Sequence, residues 1–172
     1  MNKKEGVCEE QVFNKVFTEN AQDLFNFLHF KYRDEEEARD LVQEVFGKLW
    51  QNCKKVPVAK ARGFLFVAAN NLMKNVLSRK QTAIRHQPFL SDTKSHIEHP
   101  QYKLEESEFG QRLQKALDEL PEDQRVTLLL KRIEGKKQKE IAEMLGISEK
   151  AVEKRLYKAM TSLRAKLGDV LK

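Results

Sequence analysis

The sequence predicts an all-α protein: two small helical domains joined by a linker, the C-terminal one containing a helix-turn-helix. Three observations carry that prediction. Long stretches repeat apolar residues at steps of three and four, the period of a helix with one buried side. Between them, Gln81 to about Lys103 has no sustained period and contains Pro88 and Pro100, as a linker does. The charge is also uneven: Lys131 to Lys166 holds eleven Lys or Arg against five Glu, which equals the whole formal net charge of +6, so the other residues balance.

The first helix is predicted from about Glu9 to Lys31, with Phe13, Phe17, Ala21, Leu24 and Leu28 on one side. Phe13, Phe17, Phe25, Phe27 and Phe30 make it a core-forming element. The second, DEEEARDLVQEVFGKLW, buries Ala38, Leu41, Val42, Val45, Phe46, Leu49 and Trp50. Asp34 is its N-cap, and Glu35 to Glu37 lie where the helix dipole favours negative charge. Its outer face repeats Asp40, Gln43, Glu44 and Gly47, a strip of acid and amide with a flat spot that could dock on something basic. Pro57 and mixed polarity then break the period in QNCKKVPVAKAR.

From about Lys60 to Lys80 a third helix buries Ala61, Phe64, Leu65, Ala68, Ala69, Leu72 and Val76. Beside that stripe runs a second row, Asn71, Lys74, Asn75 and Ser78, leading into Arg79 and Lys80. Amides and hydroxyls can hydrogen-bond base edges, and terminal cations suit phosphates. The domains are accordingly expected at 1–80 and 105–172, with 81–104 linking them.

In the second domain, Leu113, Leu117 and Leu120 define a helix ending at Leu120-Pro121. Pro121, Glu122 and Asp123 open the next, whose apolar side is Val126, Leu129, Leu130 and Ile133 and which Glu134-Gly135 stops. Ile141, Ala142 and Leu145 then mark a short helix, Gly146-Ile147 a turn, and Ser148 the cap of a basic helix reaching about Lys166. Val152, Leu156, Ala159, Met160 and Leu163 face inward. Glu149, Lys150, Glu153, Lys154, Tyr157 and Lys158 face outward, with Arg155 near the boundary. Such a pair fits the major groove, its second helix reaching base edges and phosphates.

Composition narrows the class further. Of 172 residues, 40% are hydrophobic and 34% charged, and no apolar run approaches the ~20 residues that span a bilayer. The start, MNKKEGVCEE, has no apolar core of a signal peptide, so the cytoplasm is expected. Cys8 and Cys53, far apart and without CxxC spacing, are expected as buried or reduced thiols rather than a disulfide or a zinc site. No metal or other cofactor is expected. Walker, GxSxG and HExxH patterns are absent, which argues against an enzyme.

Three segments carry a resemblance. ARDLVQEVFGKLW resembles the second conserved region of bacterial sigma factors of the extracytoplasmic-function group. GFLFVAANNLMKNVLSRK resembles their promoter-melting helix. DELPEDQRVTLLLKRIEGKKQKEIAEMLGISEKAVEKRLYKAMTSLR resembles their fourth conserved region. The resemblance covers roughly residues 9 to 167, in the family's order. It implies an initiation factor that binds core RNA polymerase and recognises the −10 and −35 promoter elements. It assigns Asp40, Gln43 and Glu44 to the polymerase. Asn71, Lys74, Asn75, Arg79 and Lys80 are assigned to the unpaired downstream strand, and the loop from about Gln51 to Gly63 is, with the helix itself, assigned to reading the upstream element. Lys150, Lys154, Arg155 and Lys158 are assigned to duplex DNA upstream. An anti-sigma factor at the inner membrane is a common partner in the family, and the factor would act as a monomer on the polymerase. The chain departs from the family pattern at Asn70, where Arg is usual, near a terminal Arg at Ser78, at Lys137 where Ser or Thr caps, and at Ala151 where Thr is common. The rival reading is a stand-alone helix-turn-helix regulator, which would bind its DNA tightly without polymerase.

Overall fold

The computed structural model describes residues 6–86 and 108–168, with side chains described over 6–75 and 108–168. Seven helices and no strand are found among the described residues, and the chain divides into two compact units, Met1–Ser95 and His96–Lys172.

The first unit is built from α1 (Glu10–Tyr32), α2 (Glu35–Gln51) and α3 (Val58–His86), each packed on the other two. Arg33 ends α1 in the left-handed region (φ 57°), its N–H donating to His29 O at 2.8 Å, and turns the chain straight into α2. A non-glycine residue held there costs on the order of 1 kcal/mol, which the helix hairpin must offset. Asp34 caps α2 as expected, accepting from the Glu37 N–H at 2.9 Å.

Leu24, Phe27, Leu28 and Phe30 of α1, Ala38, Val45 and Leu49 of α2, and Leu65, Phe66 and Ala69 of α3 are buried together at the centre. The last turns of α1 are buried on every side, from Asn26 to Phe30, whereas its first turns bury only Val16 and Asn20. This corrects the even stripe expected of α1. Phe17 is 44% exposed, and Trp50, assigned to the buried side of α2, is 47% exposed. Both lie toward the open end of the hairpin, in the first half of α1 and the last turn of α2. There Phe13 meets Phe46 and Trp50 edge-on, and Phe17 packs against Phe46.

The same register produces a second correction. Beyond the Phe13–Trp50 contact, in the turns just outside α1 and α2, Cys8 and Cys53 are joined in a disulfide with Cα atoms 5.0 Å apart. The thiols expected to be buried or reduced are bonded because the antiparallel hairpin of α1 and α2 returns the chain past Cys8, a juxtaposition that a sequence separation of 45 conceals.

α3 runs on past Lys80 to His86, because nothing between Gln81 and His86 breaks a helix and the first proline is Pro88. The remainder of the expected linker, with His96 and His99, lies outside the described residues.

The second unit holds α4 (Glu108–Asp118), α5 (Glu122–Arg132), α6 (Gln138–Leu145) and α7 (Glu149–Leu167). Ala116, Leu120, Leu128, Ala159, Leu163 and Leu167 form a core, flanked by half-buried Leu113, Leu117, Leu156 and Met160. Pro121 occupies the N-cap of α5 rather than its first helical position. Gly146 (φ 66°) closes α6: its N–H reaches Glu143 O, and the Ile147 N–H donates to Ala142 O at 3.0 Å. That paired arrangement needs a left-handed residue, which glycine supplies without steric cost. Two residues later Ser148 caps α7 by accepting from the Ala151 N–H at 3.2 Å. At the start of α6 the lysine side chain of Lys137 can accept nothing. Only the reciprocal half of the capping pair is made, Lys137 N–H to Glu140 Oε2 at 2.8 Å.

Candidate functional site

Three helices, α2 and α3 in the first unit and α7 in the second, present ordered polar faces. On α2, burial of Ala38, Leu41, Val42, Val45, Phe46 and Leu49 fixes the rotation of the helix, which leaves Asp40, Gln43, Glu44 and Gly47 exposed in one strip. Glu44 pairs with Lys48 one turn on at 3.7 Å, an exposed contact whose energy is small. The strip therefore keeps its acid and amide groups open to a partner. A Cβ added at Gly47 would meet no atom within 4 Å. No packing within the chain calls for a glycine there, and in mid-helix it costs roughly 1 kcal/mol relative to alanine. The aromatic end of the hairpin, with Phe17 and Trp50 exposed, lies along the same two helices. Periodicity alone assigned both aromatics to the core.

On α3, Asn71, Lys74 and Asn75 are exposed on one face, and Asn70 turns back to donate to Phe66 O at 2.8 Å. The side chains of Arg79 and Lys80 lie outside the described residues. What fixes the start of this helix is Arg62, included above in the loop from about Gln51 to Gly63 and found in the first turns of α3. Its guanidinium donates to Asn20 Oδ1 at 2.8 Å and to Asp23 Oδ2 at 3.1 Å, and lies 5.1 Å from the Phe66 ring centroid. The first turns of α3 are thereby fastened to α1. Only an unexpected polar position, Asn20 amid the α1 stripe, hinted at such a partner.

On α7 the buried Val152, Ala159 and Leu163 set the rotation. Glu149, Lys150, Glu153, Lys154, Tyr157 and Lys158 are exposed as the sequence indicates. They are sorted within that face. Lys150, Lys154 and Lys158 follow one another at four-residue steps, a ridge turning through roughly 80°, while Glu149 and Glu153 form the opposite edge. Tyr157, 73% exposed, stands between them. Arg155 does not join the ridge. It lies about 100° around the helix from Lys154, half-buried, with Nε 3.3 Å from Asp123 Oδ2 of α5.

Among the described residues no helix is long and apolar enough to cross a membrane, and no cluster of His, Cys, Asp or Glu could hold a metal ion.

Comparison with known proteins places these faces in one family. The family model described as sigma-70 region 2 matches residues 16–83, and that described as sigma-70, region 4 matches residues 110–163. Curated relatives include the ECF RNA polymerase sigma factor SigE of Mycolicibacterium smegmatis, 24% identical over 155 residues that make up 88% of this chain and 60% of that protein. Others are the Bacillus subtilis factors SigM, 24% identical over 88% of this chain and 93% of the relative, and SigV, 28% identical over 87% of each. The chain thus spans well under two thirds of SigE but most of the Bacillus factors.

Among solved structures, the sigma factor RpoE of Bartonella quintana, determined with the anti-sigma factor NepR, superposes with a TM-score of 0.67 at 20% identity. The match covers 92% of this chain and 98% of that one. CnrH, solved with the cytosolic domain of CnrY, gives 0.58 at 24% identity over 91% and 88%. At such identities the structures speak for the fold, and the two family models, in order along one chain, speak for the family. The chain belongs to the sigma-70 family of RNA polymerase sigma factors, in its extracytoplasmic-function group.

Proposed function

We propose that this protein is a transcription initiation factor that binds core RNA polymerase and directs it to promoters by reading the −10 element with its N-terminal domain and the −35 element with its C-terminal domain. The observation that carries this reading is the joint presence, in one chain, of a region 2 match holding the acid and amide strip and a region 4 match holding the lysine ridge. A stand-alone helix-turn-helix regulator would need the second and has no use for the first.

In this reading Asp40, Gln43 and Glu44 dock on the polymerase, with Gly47 allowing close approach. Asn71, Lys74 and Asn75, followed by Arg79 and Lys80, hold the unpaired strand through base-edge hydrogen bonds and phosphate contacts. Lys150, Lys154 and Lys158 enter the major groove of the upstream duplex. Arg155, engaged by Asp123, braces α7 and touches at most phosphate from the side. The domains extend over 1–80 and 105–172. The protein acts in the cytoplasm as a monomer on the polymerase, by binding rather than by catalysis. An anti-sigma factor is the expected antagonist, since the structurally similar RpoE was solved with one. Each DNA contact is weak alone and gains from tethering through the polymerase, so selection depends on both together.

The test is transcription in vitro by bacterial core polymerase on a library of random promoter DNA, with and without the protein. New start sites sharing two spaced motifs are the expected result. Absence of new starts, with tight polymerase-free binding to a single motif, would replace this reading with the stand-alone regulator.

A further inference from the structure

The Cys8–Cys53 bridge is used by nothing in the polymerase and promoter reading, yet it sits at a sensitive place. Cys53 belongs to the short connection between α2 and α3, which leads directly into the helix whose Asn71, Lys74 and Asn75 are assigned to the unpaired strand. Its partner is itself anchored: Val7 is fully buried, and the Glu9 N–H donates to Gly6 O at 3.0 Å. The bridge therefore ties the connection to a fixed point ahead of α1. Both cysteines are half-buried, open enough for a small oxidant or a dithiol to reach them. In a reducing compartment, disulfides are in most cases transient and redox-sensing rather than structural.

We propose that Cys8 and Cys53 are a peroxide-responsive clasp, closed as the disulfide and open as two thiols, that fastens the connection into α3 and so sets how well the chain holds the unpaired promoter strand. The second half of this statement rests on the promoter reading. The first does not.

Closing proceeds in two displacements. One thiolate attacks hydrogen peroxide, taking one oxygen as a sulfenic acid and releasing hydroxide. The other thiolate attacks the sulfenic sulfur, forming the S–S bond and expelling the second hydroxide, and the two thiol protons convert both hydroxides to water. A dithiol reverses this, ending as its own cyclic disulfide and leaving two cysteine thiols. The closed state stabilises by restricting the unfolded chain across 45 residues. It also pre-organises the connection, which lowers the ordering cost of gripping a strand.

The experiment compares the full chain treated with hydrogen peroxide or with dithiothreitol, alongside Cys8→Ser. Maleimide labelling is expected to find no free thiol after peroxide and two after dithiothreitol, in a monomer both times. Hydrogen exchange of peptides covering residues 52–57 is expected to slow by ~10-fold or more on closing, and the N-terminal unit to melt about 10 °C or more higher. With core polymerase, the closed form is expected to open promoters several-fold better than the open form, a difference that Cys8→Ser abolishes. Two labelled thiols after peroxide, disulfide-linked dimers, or equal exchange at 52–57 in both states would overturn the clasp. Equal promoter opening, with the bridge verified closed in one sample and open in the other, would overturn its link to the strand. Failure of both forms to open any promoter, with exchange still redox-dependent, would count against the promoter reading and leave the clasp supported.

Discussion

α2 and α7 start from the same construction and end with different surfaces. Each begins on a side-chain oxygen, Asp34 or Ser148, and each buries one apolar stripe that fixes which residues face out. On α2 the outward strip is two acids, an amide and a glycine. On α7 it is three lysines in a ridge, with a tyrosine and two glutamates beside them. Since caps and stripes are equivalent, the division of labour proposed for the two helices resides in their outward residues alone. A protein surface is met by an acid and amide strip with room for close approach, and a polyanion by regularly spaced cations.

Substitutions in the two units separate these contributions. The largest effects belong to the cores. Leu65→Ala in the first unit and Leu163→Ala in the second should each cost roughly 2–5 kcal/mol, measured by denaturant unfolding. Each is expected to shift only the transition of its own unit; a common shift would mean that the two do not stand on separate cores. Next comes the lysine ridge. Lys154→Ala should lose about 1–3 kcal/mol of upstream-element binding where the lysine reaches a base edge. Where it reaches only phosphate, the salt dependence of holoenzyme binding should instead flatten by about one counterion. Arg155→Ala offers the contrast, a loss of stability in the second unit larger than its loss of DNA affinity.

The caps should be equal and local. Asp34→Ala and Ser148→Ala are each expected to remove ~1 kcal/mol from their own unit, read as thermal shifts. The smallest effect has the opposite sign. Gly47→Ala should stabilise the free first unit by about 0.5–1 kcal/mol, since the added methyl meets nothing within the chain. If the strip docks closely, the same variant should bind polymerase less well despite being more stable.

How much of this could be seen beforehand follows from the range of the forces involved. The exposed strip of α2, the caps at Asp34 and Ser148, and the outward set on α7 were legible because helical period and capping act within a few residues. The Cys8–Cys53 bridge, the Arg62 contacts with Asn20 and Asp23, and the Arg155–Asp123 pair depend on which helices meet and at what register, information that no local pattern holds. Trp50 marks the boundary between the two cases. Its period placed it on the buried side of α2, yet it lies in the last turn of that helix, where Phe13 meets the ring edge-on and the residue stays 47% exposed.

The most direct test of the division of labour is the affinity of Asp40→Arg/Glu44→Arg for core polymerase, taken with its melting temperature and compared with Lys150→Ala/Lys154→Ala in the same assay. The account expects the charge reversal to weaken polymerase binding on the order of 100-fold with an unchanged melt, while the lysine variant binds polymerase as the parent does. Unchanged polymerase affinity in the charge-reversed variant would contradict the assignment of the α2 strip.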